Sequence, residues 1–144
     1  MAIAFKQGSV ITQIGPGGVL HSLLSTVAVH LENGRWGSNF PFIMHDLYQG
    51  SVSAKNADAA YLEMQKIKAG LASLSAANVV WDIEDLAKRP PWGSVAGPHV
   101  TSMANYYVTS NGLNLVDEVI GNLESLREFG GTLDIISCED APRF

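Results

Sequence analysis

Three stretches of this chain repeat apolar side chains at alternating intervals of four and three residues, and that spacing constrains the fold more than any other feature. Leu20, Leu24, Val27 and Leu31 form the first stripe. Ala60, Met64, Ile67, Leu71 and Leu74 form the second, and Val116, Val119, Leu123 and Leu126 the third. On a helix turning about 100° per residue, each set falls on one face and needs a surface to cover it. The spacing predicts helices over residues 19–32, from a cap at Ser53 or Asn56 to Leu74, and over residues 113–129. Asn33 and Gly34 supply a left-handed stop for the first, and Gly130 and Gly131 end the third.

Runs rich in β-branched and aromatic residues lie between these stripes. IAFKQGSVITQI reads as a hairpin about Gln7, Gly8 and Ser9. NVVWDI (residues 78–83) reads as a strand with Val79, Trp81 and Ile83 on one side, so Trp81 is expected in the core. NYYVT (residues 105–109) reads as another strand, followed by a turn at Ser110, Asn111 and Gly112, and TLDIISC as the last. RWGSNFPFIMHDLYQG (residues 35–50) has no clean period and predicts an irregular segment with at most a short helix. The order predicts an α+β domain whose mixed or antiparallel sheet packs against about three long helices. With no repeat or linker, residues 1–144 form one domain.

A 47% apolar share and 16% charged residues belong to a globular protein. No stretch is apolar enough to cross a membrane and the start carries no secretory signal pattern, so a cytoplasmic protein without membrane contact is expected. The single cysteine, Cys138, fits that compartment, reads as a small buried hydrophobe, and excludes the usual thiolate zinc site. The net charge of −5 is uneven: residues 1–74 hold five bases and four acids (+1), residues 75–144 four bases and ten acids (−6). Such a surface repels phosphate backbones and attracts basic proteins, so direct nucleic-acid binding is not expected.

The motifs of catalysis and metal binding are missing. IGPGGVLHS lacks the Lys-Ser/Thr of a phosphate-binding loop and has Leu20 where a dinucleotide fingerprint needs glycine, so it reads as a tight strand-to-helix turn. His21 and His30 fall on opposite sides of one predicted helix, and His45 and His99 belong to no recognised ligand or triad spacing. We expect no catalytic residue, no metal and no cofactor. In WDIEDLAKRPPWG (residues 81–93), Asp82 can cap a short helical turn over residues 83–88, and Pro90 and Pro91 then deliver Trp92 stiffly. One cap leaves the other acids unexplained, which makes an acidic recognition surface the alternative to a purely structural turn.

Three stretches carry a resemblance: HSLLSTVAVHLENGRWGSNFPFIMHDLYQG, VVWDIEDLAKRPPWG and NYYVTSNGLNLVDEV. Together they resemble immunity proteins of bacterial polymorphic toxin systems, most closely the immunity protein 70 family, over residues 5–120. The resemblance implies a small α+β protein, not an enzyme, that binds and neutralises a secreted or contact-delivered toxin domain. It carries no residue-level motif, so the contact is read from charge: Asp82, Glu84 and Asp85, with Glu118, supply negative potential toward a basic nuclease cleft, and Trp92 an aromatic anchor. A hydrolase using His45 with Asp46 or the acidic turn, and a non-catalytic adaptor, are the competing readings.

Overall fold

The computed structural model describes residues 2–92 and 97–137. The chain begins with the expected hairpin, β1 (Ala2–Gln7) and β2 (Val10–Pro16), joined through Gly8 and Ser9. Gly8 has φ +56° and Ser9 no positive φ, the pattern that lets a two-residue loop follow the strands' twist. β3 (Ser51–Ser53) and β4 (Thr132–Ser137) complete a four-stranded sheet in the order β2-β1-β4-β3, antiparallel at every pairing.

Register puts Phe5 opposite Ile135 and Val52 opposite Leu133, on the face that the helices cover. Three helices pack there: α1 (Gly17–Leu31), α2 (Ala57–Leu71) and α3 (Leu115–Phe129). Their buried side chains include every stripe residue except Leu31 and Leu74, which are partly buried against the same core. α1 ends at Asn33 (φ +53°) and Gly34 (φ +78°), and α3 at Gly130 (φ +77°). The molecule is thus an α+β domain. Among the described residues no helix is long and apolar enough to cross a membrane.

Several local expectations fail for identifiable reasons. Residues 78–83 are not a strand: Asn78 ends a 3-10 helix (Ala76–Asn78), and the Asn78 carbonyl, both backbone groups of Val80 and the Ile83 N–H are taken by side chains of α1. Residues 105–109 form turns with one isolated bridge, Val108 to Asn114, because the N–H groups of Thr109 and Leu115 turn back to the carbonyls of Leu113 and Tyr107. α3 starts at Leu115, two residues after the expected start, because the Asn114 side chain caps it by accepting the N–H of Asp117 at 3.2 Å. Neither Ser53 nor Asn56 caps α2 through its side chain; Asn56 instead reaches the Asp46 carboxylate at 3.5 Å.

The segment after α1 holds a six-residue π-helical stretch, Phe42–Leu47. Two carboxylates organise it. Glu32 is buried and accepts the N–H groups of Gly37, Asn39 and Phe40 at 2.9–3.0 Å. Glu63, on α2, accepts those of Phe42 and Ile43 at 3.3 and 2.9 Å, and burial raises its pKa above the usual glutamate value despite those bonds. Cys138 lies outside the described residues.

Candidate functional site

α1 has no Asp, Glu, Lys or Arg, and its hydroxyl-bearing side is as buried as its apolar side. A helix of that kind must be covered all round. The sheet, with α2, takes one side, and residues 78–83 take the other. Thr26 Oγ1 accepts the Val80 N–H at 3.0 Å, Ser22 Oγ donates to the Val80 carbonyl at 2.8 Å, and Ser25 Oγ accepts the Ile83 N–H at 3.2 Å. His30 Nε2 lies 2.8 Å from the Asn78 carbonyl. Beneath them the Tyr107 hydroxyl sits 2.9 Å from both Ser22 Oγ and Thr26 Oγ1, and burial lifts its pKa well above the ordinary tyrosine range.

This anchored segment presents the acidic turn. No helix forms over residues 83–88. The Asp82 carboxylate accepts the Glu84 N–H at 2.9 Å while its carbonyl accepts the Asp85 N–H at 3.1 Å. Asp85 repeats the pattern with the N–H groups of Ala87 (3.2 Å) and Lys88 (3.1 Å). Two consecutive turns therefore each begin with an aspartate whose side chain mimics the backbone of the turn. That gives Asp82 and Asp85 structural roles and leaves Glu84 as the acid the turns do not use. Glu84, Asp85 and Leu86 are all exposed, Leu86 by 62%.

Asp82 is the hub between the turn and α1. Its Oδ1 lies 3.3 Å from His21 Nε2 and its Oδ2 3.5 Å from Lys88 Nζ. The Glu84 N–H, then the His21 hydrogen bond, with Lys88 nearby, hold its pKa below the usual aspartate value. His21 Nδ1 lies 3.1 Å from the Tyr48 hydroxyl, and its ring stacks on Trp36 at 6.1 Å, whose indole N–H donates to the Met44 carbonyl at 2.7 Å. Sequence reasoning missed His21, Trp36 and Tyr48 as neighbours of the turn. The available signal was the uncharged polar side of α1, on which His21 lies with Ser22, Ser25 and Thr26.

The tryptophans meet edge to face, with Trp81 and Trp92 centroids 5.4 Å apart. Trp81 is only partly buried, a correction to its expected core position: it lies over the strand-to-helix turn, where a Cβ on Gly18 would come within 3.2 Å of the ring. Trp92 is 49% exposed and donates its indole N–H to the Tyr106 hydroxyl at 2.8 Å, so it is held in place while presenting a face to solvent. Pro90 before it is buried and Pro91 exposed.

Glu118 lies elsewhere. It lines a groove between the hairpin tip and α3, to which residues 81–92 contribute nothing. His45 and Asp46 engage different neighbours: the His45 ring occupies the space over Gly37, where any side chain would overlap it, and Asp46 faces Asn56. Among the described residues no three His, Cys, Asp or Glu side chains cluster in a way that could hold a metal ion.

No curated protein and no solved structure shows significant similarity to the chain. The model of one family, immunity protein 70, matches residues 5–135, from β1 through most of β4 and including α1, the acidic turn and α3, and the chain belongs to that family.

Proposed function

We propose that this protein protects bacterial cells by binding a cognate toxin domain and covering its active site, with the turn of Asp82, Glu84 and Asp85 and the neighbouring Trp92 as the contact. Family membership supports an immunity role and a protein partner. The observation that carries the choice of surface is the joint exposure of Glu84, Asp85, Leu86 and Trp92 on a segment bonded to α1. Apolar anchors ringed by charge on a fixed backbone bind with little loss of conformational freedom.

Negative potential in this half of the chain complements a basic substrate cleft, which makes a nuclease the favoured kind of toxin. Inhibition of this kind is stoichiometric and needs no turnover, and it places the protein in the cytoplasm, where an incoming nuclease acts. The first test is whether a toxin domain is encoded immediately upstream of this chain's gene, and that domain is then the partner to assay. Co-expression should restore growth to cells making the toxin, and the two purified proteins should form a complex that abolishes toxin activity at one-to-one stoichiometry. Growth arrest unrelieved by co-expression, with no complex on mixing, would refute the reading.

A further inference from the structure

The groove that holds Glu118 is a concavity that no internal contact fills. It encloses about 550 Å³ between the hairpin tip, with Gln7, Val10 and Thr12, and the exposed side of α3, with Glu118, Gly121 and Phe129. Its walls are tied together: the Gln7 side-chain amide donates to the Asn122 carbonyl at 2.6 Å and lies 3.1 Å from the Asn122 side-chain oxygen. Gly121 lines the α3 wall. It sits within a regular helix, where glycine is disfavoured, yet a Cβ there would meet nothing within 4 Å.

Two apolar side chains flank the opening without cover, Val10 at 63% and Phe129 at 79% exposure. The charged side chain in its lining is acidic, Glu118. α3 carries Asp117, Glu118, Glu124 and Glu128 against Arg127 alone. Arg127 is bound to Asp58 and Asp117 to Lys68, both at 2.7 Å, which leaves Glu118, Glu124 and Glu128 without an ion-pair partner among the described residues.

We infer that this groove is a second contact point for the toxin: it receives an extended toxin segment that sets an apolar side chain between Val10 and Phe129 and a lysine or arginine against Glu118. Charge complementarity selects this occupant, because Glu118 is the charged side chain in the groove's lining and has no ion-pair partner among the described residues, so a neutral or acidic segment would leave it uncompensated, whereas Glu124 and Glu128 line a separate concavity with Asp58 and Arg127. The inference rests on the immunity reading but not on the acidic turn. Val10 opens β2 and Gly17 follows its end, so the groove lies about 20 Å along the strand from the start of α1, against which that turn packs.

The test measures binding of the purified cognate toxin domain, identified as above, to wild type, Gly121→Arg, Glu118→Lys and Gly121→Ala. Gly121→Arg fills the groove and offsets the charge of Glu118, and should weaken binding on the order of tenfold or more, as should Glu118→Lys, which reverses that charge. Gly121→Ala adds one methyl, favours the helix, and should bind within about twofold of wild type. Thermal melts show whether each variant folds; if Gly121→Arg does not, Glu118→Lys, at a half-buried position, decides alone. Wild-type binding by Glu118→Lys and by folded Gly121→Arg overturns the inference, as does a loss of self-association in these variants with toxin binding intact. If wild type itself binds no toxin, the immunity reading falls with it. If Gly121→Arg fails while charge reversal at the acidic turn has no effect, the groove stands and the turn does not.

Discussion

Thr26 and Val80 are 54 residues apart in sequence, yet the hydroxyl of one accepts the backbone N–H of the other at 3.0 Å. A helix side chain here takes the place of a neighbouring strand. The same hydroxyl meets the buried Tyr107 hydroxyl at 2.9 Å, so helix, segment and aromatic core share one polar junction. Replacing Thr26 by Val preserves shape and removes both contacts. We expect a loss of roughly 1–3 kcal/mol, read as a lower denaturant midpoint, with faster hydrogen exchange at the Val80 amide. An unchanged midpoint and exchange rate would show that the hydroxyl does not hold the segment.

The two tryptophans should separate stability from binding. Trp81 lies over Gly18 and is partly buried, so Trp81→Ala should destabilise by about 2–3 kcal/mol, less than truncation of a fully buried tryptophan. Trp92 is half exposed, and Trp92→Ala should lower stability by only about 1 kcal/mol while weakening the toxin complex at least tenfold. Equal effects of both variants on the melting temperature would contradict this division.

Asp82 gives the protein a specific acid response. Its pKa is lowered in the folded state, chiefly by the Glu84 N–H and then by His21, so the carboxylate contributes stability above the unfolded-state pKa. That contribution is lost as pH falls through the lower folded value. Carbon-detected titration should place the Asp82 midpoint below that of an unstructured aspartate. Asp82→Asn, which keeps the turn acceptor, should flatten the acid limb of the stability profile in that window. A midpoint at or above the unstructured value would mean that the Glu84 and His21 contacts do not persist in solution.

The helices were legible because each carries a stripe whose period only a helix satisfies, and the hairpin because Gly8 punctuates two β-branched runs. Residues 78–83 misled for the opposite reason. Their composition suits a strand, but Asn78 ends a short 3-10 helix, the chain bends at Trp81 and turns at Ile83, and the hydrogen-bond partners of Val80 and Ile83 are Ser22, Ser25 and Thr26, which local sequence cannot name. β3 has three residues, too few to leave a period. The acidic turn was visible as a cluster, but its inner logic was not. Asp82 and Asp85 each open a turn, so the surplus of acid that suggested recognition narrows to Glu84 and to the exposure of Asp85. Glu118 joined the turn on charge alone, and only tertiary structure separates them.

That narrowing sharpens the test of the acidic turn. Glu84 and Asp85 are exposed, and neither makes an ion pair among the described residues, so replacing both by Lys removes long-range attraction without touching the core. The Asp85 side-chain bond to Ala87 is lost as well, which should lower stability by about 1 kcal/mol or less and leave the fold intact. Association with a basic toxin should slow on the order of tenfold at low salt, and the remaining rate should depend less on ionic strength, because screening then has less attraction to remove. Dissociation should change less than association, as expected for charges at the rim of an interface. Protection of toxin-producing cells should fall in step with the slower association. If the double variant associates at the wild-type rate at every salt concentration and protects fully, these two acids serve only the turn, and the toxin must be held by another surface.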